Sequence, residues 1–435
     1  MRVCVVGSGA REHALAVALS RTASVVAAPG NPGIAEIAGV ETTPAPPAEV
    51  EADLVVVGPE QPLVDGLADE LRARGRAVLG PGADGARLEG SKAFMKELAS
   101  AAGVPTAPWS SFSGLEAAAS YLSSLPGPYV VKTDGLASGK GVLVTADLEA
   151  AIADVAAKLS GAAFGDAGRR VVVEEGLVGV ELSLLALCDG SRVAVLPPAQ
   201  DHKRLRDGDL GPNTGGMGAF SPVPGATDAV VDEAVERILL PTLAELRRRG
   251  IDYRGVLYAG LMLTADGPTL IEYNVRFGDP EAEVVLPRCG GDLAEVFLAA
   301  AEGRLLGPPP VSGDSAVCVV VAAPGYPAAP ITGGAVDGLD GAGTVEGVTI
   351  YHAGTRRDAD GTLRVAGGRV LAVTGVGPGA DAARARAYDA VGRVRIEGMQ
   401  YRSDIAAGLA QAPAAAGGPD GAVPGAMAPA TGGRS

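Results

Sequence analysis

The chain has little of what would make a disulfide scaffold, a zinc protein or a nucleic-acid-binding protein. Its 435 residues include only four cysteines and three histidines. No two cysteines are spaced as CxxC, so we expect neither a disulfide framework nor a structural zinc site. The formal net charge of −15 argues against a broad basic surface for nucleic acid. Aromatic residues make up only 4%, so the cores must consist mostly of Val, Leu, Ile and Ala.

Long apolar runs are also missing. Those that occur, such as AVCVVVAA at 316–323, are too short to cross a bilayer. The opening segment MRVCVVGSGAREHAL does not resemble a signal peptide, because its short apolar run ends in polar residues. We therefore predict a cytoplasmic protein with reduced thiols and without a membrane or nucleic-acid partner. The Ala/Gly/Pro-rich segment 412–435 is predicted to be a disordered tail.

Strand and helix signals alternate over the first hundred residues. Short apolar runs ending in glycine, such as RVCVVG and DLVVVG, precede helical segments, and this predicts a Rossmann-like parallel α/β domain over 1–103. Strand and hairpin signals then dominate. We predict a larger domain over 104–312, with a small β-rich lid at about 122–190, and a C-terminal α+β domain over 313–411.

The first strand leads into the turn G-S-G-A-R-E at 7–12. The dinucleotide fingerprint requires a third glycine where Glu12 stands, so NAD binding is disfavoured. A strand–glycine–helix start can still hold a phosphate at the helix N-terminus. A tight turn without a ligand is the alternative, and the spacing alone does not separate the two.

The segment KTDGLASGKGVLV at 132–144 has the composition of a phosphate-binding loop. It is one residue too short for a Walker A loop, and Gly141 stands where that loop needs a hydroxyl for magnesium. Strand-like segments flank it on both sides, so it is predicted to be a hairpin tip. Lys140 and the backbone could close over a polyphosphate, with Lys132 supplying a second charge. An ordinary flexible hairpin is the alternative.

The segment TLIEYNVRF at 269–277 reads as a strand. Alternation places Leu270, Glu272, Asn274 and Arg276 on one face, and a core face with Tyr273 on the other. A carboxylate and a carboxamide in a row suit Mg²⁺, which takes one or two protein oxygens and the rest from phosphate and water. The neighbouring guanidinium could bind phosphate oxygens. A solvated polar strand face is the alternative.

Two further segments attract attention. RRVVVEEGLVGVELSLLAL at 169–187 carries Glu174, Glu175 and Glu181 near a bend, and could offer groups to adenine and ribose. Plain edge-strand solubility explains that pattern equally well. The segment 200–222 is long, lacks periodicity and contains NTGGMG, which is typical of a functional loop near a small substrate.

Together and in this order, the motifs resemble the glycinamide ribonucleotide synthetase family of ATP-grasp ligases. They are GSGAREHALA, PGNPG, VVGPEQPLVDG, LEGSKAFMK, KTDGLASGKGV, QDHKR, GPNTGGMGA, IEYNVRFGDPE, YHAGT and GGRVLAVT. The resemblance covers about residues 1–406. It implies a multidomain α/β and α+β protein with an ATP-grasp fold, a Rossmann-like N-terminal domain, a β-rich lid and a C-terminal α+β domain.

The resemblance also implies a reaction, in which ATP, glycine and 5-phosphoribosylamine give glycinamide ribonucleotide, ADP and phosphate in purine biosynthesis. Phosphoryl transfer to the glycine carboxylate gives glycyl phosphate, which the amine then attacks. ATP is a substrate, Mg²⁺ or Mn²⁺ a cofactor, and we expect a monomer. Other ATP-grasp ligases or carboxylases, such as biotin carboxylase, and a non-catalytic nucleotide-binding regulator are the alternatives.

Residue roles follow from the same resemblance. Glu272 and Asn274 would hold the metal, and the catalytic residues would be Arg276, Lys132 and Lys140. The ATP site would comprise Lys92, Lys132, Gly135, Ser138, Gly139, Lys140, Gly141, Glu174, Glu175, Leu177 and Glu181. The substrate site would comprise Gly9, Arg11, Glu12, His13, Pro29, Gly30, Asn31, Lys203, Asn213, Thr214, Gly215, Gly216 and Asp279.

Overall fold

A computed structural model describes residues 1–136, 141–161 and 169–409. The first hundred residues form a five-stranded parallel sheet in the order β3-β2-β1-β4-β5. Its strands are β1 (Arg2–Gly7), β2 (Ser24–Pro29), β3 (Val40–Thr42), β4 (Leu54–Val57) and β5 (Ala77–Leu79). Its helices are α1 (Ala10–Leu19), α2 (Pro32–Ala35), α3 (Glu60–Val64), α4 (Leu67–Ala73), α5 (Ala83–Gly90) and α6 (Lys92–Ala101).

The order of this sheet has a functional consequence. The chain runs outward from β1 in one direction to β2 and β3, and in the other to β4 and β5. Loops after β1 and β4 therefore leave a crevice between them, where open α/β sheets bind ligands. The G-S-G-A-R-E turn predicted as a phosphate site lies at this point.

The middle of the chain contributes the most strands. These are β6 (Trp109–Phe112), β7 (Tyr129–Thr133), β8 (Val142–Thr145), β9 (Val171–Glu175), β10 (Val180–Asp189), β11 (Val193–Val195), β12 (Gln200–Asp201), β13 (Arg204–Arg206), β14 (Leu210–Asn213), β15 (Gly218–Ser221), β16 (Arg254–Thr264) and β17 (Gly267–Asn274). The helices are α7 (Leu115–Ser124), α8 (Leu148–Leu159), α9 (Asp228–Ala234), α10 (Leu240–Arg248), α11 (Ala282–Val285) and α12 (Leu293–Glu302).

Two antiparallel sheets from this segment carry residues of the predicted ATP site, and we call the region between them the cleft. The sheet β6-β9-β7-β8 falls within the segment that includes the predicted lid and packs on α7 and α8 around its own core of Leu122, Val131, Val155 and Val173. The other sheet has the order β11-β10-β16-β17 and belongs to the large core. The predicted hairpin between β16 and β17 is confirmed, since Thr264 pairs with Gly267 across a two-residue turn.

A β-bulge in β17 corrects the predicted strand face. Gly260 of β16 pairs with Glu272, whereas the next residue, Leu261, pairs with Leu270, so β17 has one residue more than its partner there. Successive residues of β16 point to opposite faces, so Leu270 and Glu272 do too. The prediction that they share a face was wrong, and Leu270 is fully buried in the core with Tyr273.

The C-terminal segment completes the fold. It contains β18 (Ser315–Ala322), β19 (Val348–His352), β20 (Thr355–Arg357), β21 (Leu363–Val365) and β22 (Arg369–Gly377), with helices α13 (Leu339–Gly343) and α14 (Ala380–Val391). Its main sheet has the order β12-β15-β18-β22-β19, and therefore includes two strands from the middle segment. The long loop 200–222 is thus joined to the C-terminal segment by main-chain hydrogen bonds.

The predicted fold class is confirmed, because a parallel N-terminal sheet, antiparallel sheets and helices combine in one mixed α/β architecture. The domain boundaries stay a prediction. All four cysteines are buried and free. No helix within the described ranges is both long and apolar enough to span a bilayer.

Candidate functional site

One wall of the cleft is the start of α6, where Lys92 is the first helical residue. Ser91 caps this helix by accepting a hydrogen bond from Phe94 N (3.1 Å). Asp134, just after β7, accepts hydrogen bonds from Ser91 Oγ (2.9 Å) and Ala93 N (3.2 Å). The helix start is therefore fixed to the hairpin strand. Lys92 Nζ lies 4.0 Å from Glu272 Oε2 on the opposite wall.

Glu272 and Asn274 lie two residues apart at the end of β17, beyond the bulge, and both are half-buried. Burial alone would raise the pKa of the Glu272 carboxyl, but surrounding cations hold it below its usual value. These cations are Lys92, Lys132, Lys203 and Arg276. The carboxylate is therefore kept ionised, which is the form a metal ion requires.

These two residues fit a magnesium ion. In the described ranges, no group of three or more His, Cys, Asp or Glu side chains could hold a metal by itself. Magnesium does not need such a group, since one or two protein oxygens with substrate phosphates and waters complete its octahedron. The carboxylate of Glu272 and the amide oxygen of Asn274 supply this kind of donor set on adjacent positions of one strand face.

Arg276 follows these two residues and is held by acidic residues that the sequence did not suggest. Its Nη2 donates to Glu89 Oε1 (2.8 Å) and to Asn274 Oδ1 (3.2 Å), and its Nε lies 3.2 Å from Glu60 Oε2. Glu89 also accepts from Val275 N (2.8 Å). The guanidinium is therefore oriented by the N-terminal segment, and only part of its donor capacity is left for a ligand.

Glu174 and Lys132 form a buried ion pair, with Glu174 Oε1 2.8 Å from Lys132 Nζ. The other oxygen, Oε2, lies 2.6 Å from Lys96 Nζ. Both lysines and the glutamate are almost completely inaccessible to solvent. The carboxylate that was predicted at the adenosine site is thus engaged by two ammonium groups. Lys96 was missed in the sequence, although it lies one helical turn after Lys92.

The remaining residues predicted at adenosine lie around the bend between β9 and β10. Glu175 and Leu177 are half-buried, and Glu181 is the second residue of the next strand, β10. Glu181 Oε2 lies 2.5 Å from Lys203 Nζ, which also lies 2.8 Å from Asp201 Oδ1. These two carboxylates raise the pKa of Lys203 well above its ordinary value, against the effect of burial. The bend and the long loop therefore meet at this ion pair.

The hairpin tip is described only in part. Thr133 N donates to Gly141 O (2.9 Å), which closes the hairpin, and Gly135 has a φ of 148° that favours glycine. Ser138, Gly139 and Lys140 lie outside the described residues, so their predicted contacts with ATP stay predictions.

The turn after β1 is held by a carboxylate. Glu12 Oε2 accepts a hydrogen bond from Gly9 N (2.5 Å), and Glu12 Oε1 lies 2.7 Å from Arg11 Nε. A Cβ placed on Gly58, after β4, would lie 2.0 Å from Glu12 Oε1. Arg11 in turn donates to Phe277 O (3.2 Å), directly after Arg276. The turn is thereby joined to the end of the cleft.

Asn31, which follows Pro29 and Gly30, joins this turn to the C-terminal segment. Its Nδ2 donates to Ser8 O (2.9 Å) and His352 O (2.8 Å), while its Oδ1 accepts from Ile34 N (2.9 Å). His352 N donates to His13 Nδ1 (2.9 Å). Burial, with a smaller contribution from the charge of His352, lowers the pKa of His13 to about 3, so the ring is neutral and able to accept this bond.

The loop Asn213–Gly216 and Asp279 meet at an arginine of the C-terminal segment. Arg369 Nη1 donates to Gly215 O (2.7 Å) and Asp279 O (2.8 Å), and lies 3.0 Å from Asp279 Oδ1. Gly215 N donates to the hydroxyl of Tyr326 (3.0 Å), and Thr214 Oγ1 donates to Lys203 O (2.8 Å). Asp279 also approaches the N-terminal turn, because its Oδ2 lies 3.7 Å from where a Cβ of Gly9 would be.

Most of the predicted site residues that the structure describes thus lie in one cleft, which has two ends. The nucleotide end comprises Lys92, Lys96, Lys132, Glu174, Glu181, Glu272, Asn274 and Arg276, and Lys203 links it to the acceptor end through Glu181. The acceptor end comprises the N-terminal turn, Asn31, the loop Asn213–Gly216 and Asp279. Sequence reasoning missed Lys96, Glu60, Glu89, Tyr326, His352 and Arg369. The last two stand in YHAGT and GGRVLAVT, where a signal existed but no residue was assigned.

Family models match nearly the whole chain. The phosphoribosylglycinamide synthetase N domain matches residues 1–89, its ATP-grasp (A) domain 90–282 and its C domain 316–408. The chain is 47% identical over 418 residues to the phosphoribosylamine–glycine ligase of Caulobacter vibrioides, covering 93% of this chain and 97% of the relative. It is 49% identical over 428 residues to that of Streptomyces coelicolor, covering 95% and 100%.

Solved structures are also similar to this chain. The crystal structure of phosphoribosylamine–glycine ligase from Thermotoga maritima superposes with a TM-score of 0.81 at 36% identity, covering 93% of this chain and all of the other. The biotin carboxylase domain of Hydrogenobacter thermophilus 2-oxoglutarate carboxylase, solved with MgADP and bicarbonate, gives a TM-score of 0.68 at 18% identity, covering 92% and 91%. The second similarity concerns the fold alone.

Proposed function

Because this chain belongs to the phosphoribosylglycinamide synthetase family, we propose that the two-ended cleft is the active site of its ligase activity. The chain is an ATP-dependent phosphoribosylamine–glycine ligase of purine biosynthesis, which joins glycine to 5-phosphoribosylamine. ATP is a substrate, and the organic substrates are small molecules. The assignment of individual residues to these substrates is our proposal.

One observation supports the nucleotide end most strongly, namely that cations surround an ionised Glu272. Lys92, Lys132, Lys203 and Arg276 all lower the pKa of this carboxyl. A polyphosphate needs such a cationic environment, and Glu272 with Asn274 offers the oxygen donors for a divalent ion within it. We propose Mg²⁺ or Mn²⁺ there. When held by Glu272 and Asn274, the ion would neutralise negative charge on the transferring phosphoryl group.

The chain's own residues position ATP in this proposal. Lys92 and Lys132 bind the phosphates from the helix start and the hairpin strand, while Gly135, Ser138, Gly139, Lys140 and Gly141 close over them. Glu174 keeps Lys132 in place, and adenosine binds at the bend with Glu175, Leu177 and Glu181. Arg276, oriented by Glu60 and Glu89, stabilises the phosphoryl group during transfer.

The chemistry explains why both ends are needed. A glycine carboxylate is a poor electrophile, because its leaving group would be oxide. Transfer of the γ-phosphoryl group to one carboxylate oxygen gives glycyl phosphate, from which phosphate can leave. The phosphoribosylamine nitrogen then attacks the carbonyl carbon, forms the C–N bond and expels phosphate. No serine or cysteine nucleophile is required, and positioning dominates the catalysis.

The acceptor end is proposed to hold the other two substrates. In this proposal glycine and its acyl phosphate bind to Asn213, Thr214, Gly215, Gly216, Lys203 and Asp279. The N-terminal turn with Gly9, Arg11, Glu12 and His13, together with Pro29, Gly30 and Asn31, would bind phosphoribosylamine. We propose that the start of α1 holds the phosphate of phosphoribosylamine, as helix N-termini do in phosphate sites of such folds. We also propose that the protein acts as a monomer in the cytoplasm.

The proposal is tested by the substrate dependence of ADP formation by the purified protein. We expect ADP release only when glycine and phosphoribosylamine are both present with a divalent ion, and glycinamide ribonucleotide as the product. Bicarbonate-dependent ADP release would favour a carboxylase instead. ATP binding without substrate-dependent ADP release would favour a non-catalytic regulator.

A further inference from the structure

Lys96 is a fully buried lysine beside the proposed nucleotide end. It lies on α6, one helical turn after Lys92, but its side chain is completely inaccessible to solvent. Nζ lies 2.6 Å from Glu174 Oε2 and donates to Thr106 Oγ1 (2.7 Å). Burying a charge is costly unless it is paired and hydrogen-bonded, as this one is. Its presence at a buried position therefore calls for an explanation beyond packing.

The contacts of Lys96 connect it to Lys132 and to the strand segment directly before Glu272. Through Glu174, it shares a carboxylate with Lys132. Through Thr106, whose hydroxyl donates to Leu270 O (2.7 Å), it reaches the bulged part of β17. Lys132 Nζ donates to the next carbonyl, Ile271 O (3.1 Å). Two successive carbonyls of the bulge are thus bound by this network, directly before Glu272.

The charge of the cluster depends on Lys96. Two lysines and one glutamate give a net charge of +1. Without Lys96, Glu174 would neutralise Lys132 alone, and the cluster would offer no net charge to a phosphate. Burial lowers the pKa of Lys96 to about 8, with Glu174 and Glu272 opposing this and Lys132 adding to it, so the ammonium is mostly protonated at neutral pH.

We propose that Lys96 is a positioning residue for the nucleotide phosphates, which leaves the charge of Lys132 available to ATP by neutralising Glu174 and fixes the bulge that turns Glu272 to the cleft. This inference rests on the proposed function and deepens it. Lys96 touches no substrate and acts through Glu174, Lys132 and Thr106. If Lys96 acts through its charge, replacing Glu174 as well should restore the KM for ATP. If Lys96 acts only through packing, the second replacement should not restore it.

The test compares Lys96→Met with the double variant Lys96→Met/Glu174→Gln. The single variant removes one positive charge, and we expect the KM for ATP to rise about tenfold, with kcat and the KM for glycine changing less. In the double variant the net charge is again +1, and we expect the KM for ATP to return to within about threefold of the original. The matched control is Lys158→Met, a buried lysine of α8 paired with Asp154, which should leave the KM for ATP unchanged.

Opposite outcomes would overturn the inference. An unchanged KM for ATP in Lys96→Met would contradict it, and so would a double variant as impaired as the single one. If Lys96→Met does not fold, ADP binding by the double variant is measured instead, since the side chains at positions 96 and 174 would then both be neutral and need no counter-charge. Loss of ADP binding by the double variant would reject the charge role. Failure of the proposed function is distinct, because the unmodified protein would then lack glycine-dependent ADP release.

Discussion

The two ends of the cleft are built in different ways. At the nucleotide end, charged side chains from the first 276 residues lie within ion-pair distance of one another, as with Lys96, Lys132 and Glu174. At the acceptor end, the links join segments far apart in the chain and use many backbone carbonyls, as when Arg369 binds Gly215 O and Asp279 O.

The two ends of the cleft therefore hold their geometry by different means. The buried charges of the nucleotide end are costly to separate, so its geometry should persist as long as the sheets β6-β9-β7-β8 and β11-β10-β16-β17 stay folded. The acceptor end has its geometry only when the C-terminal segment is docked against the N-terminal turn and the loop 200–222. Changes at the first end should therefore affect ATP chemistry, and changes at the second should affect the organic substrates.

The largest effect is expected for Glu272→Gln. The amide keeps the size of the side chain but removes the negative charge that a divalent ion requires. We expect kcat to fall about 1,000-fold or more, with the fold intact by circular dichroism. Glu233→Gln, on the surface of α9 and paired with Arg237, is the matched control and should keep full activity. Near-normal turnover of Glu272→Gln would mean that the metal site lies elsewhere.

The nucleotide end was also the more predictable end from the sequence. Lys92, Lys132, Glu272, Asn274 and Arg276 stand in short motifs whose local strand or helix pattern already assigns a direction to each side chain. The β-bulge limited this reasoning, because one additional residue in β17 reversed the face of Leu270. A bulge depends on cross-strand pairing, which alternation along a single strand does not contain.

The acceptor end could not be predicted in the same detail. His352 and Arg369 were visible in YHAGT and GGRVLAVT, but their contacts depend on how β19 and β22 pack against segments 90 to 339 residues away. Glu60 and Glu89 were missed for the same reason, since only the tertiary structure brings them to Arg276. Lys96 was missed because a lysine at the surface and one in a buried ion pair have the same helical spacing.

A smaller effect than that of Glu272→Gln is expected for Arg369→Met, which tests whether the acceptor end can be changed without changing ATP binding. It removes the bonds to Gly215 O and to Asp279 while keeping much of the side-chain volume. We expect the KM for glycine or phosphoribosylamine to rise about a hundredfold, because the partly buried Asp279 and the exposed carbonyl of Gly215 lose a charged donor, while the KM for ATP stays within about twofold.

The control for this variant is Arg364→Met, which removes a surface arginine of the same segment paired with Asp358. It should leave every KM unchanged. An equal rise in the KM for ATP in Arg369→Met would show that the two ends are not independent.

The smallest effect concerns pH and the docking of the C-terminal segment. The pKa of His13 is lowered from 6.5 to about 3, because the ring is buried and lies near His352. Below pH 6.5 the unfolded chain binds a proton that the native ring does not, so stability falls as the pH falls toward 3. The expected loss from this group is about 1.4 kcal/mol per pH unit, or about 2 kcal/mol between pH 6.5 and 5.

His13→Gln tests this sign, because a glutamine amide can accept the bond from His352 N but does not titrate. Between pH 7 and 5, we expect the free energy of unfolding of the variant to fall by about 2 kcal/mol less than that of the unmodified protein. Hydrogen exchange should place the difference at β19, where the bond to His352 N would be broken when Nδ1 takes up a proton. Parallel pH profiles of the two proteins would show that this contact does not make the acceptor end sensitive to acid.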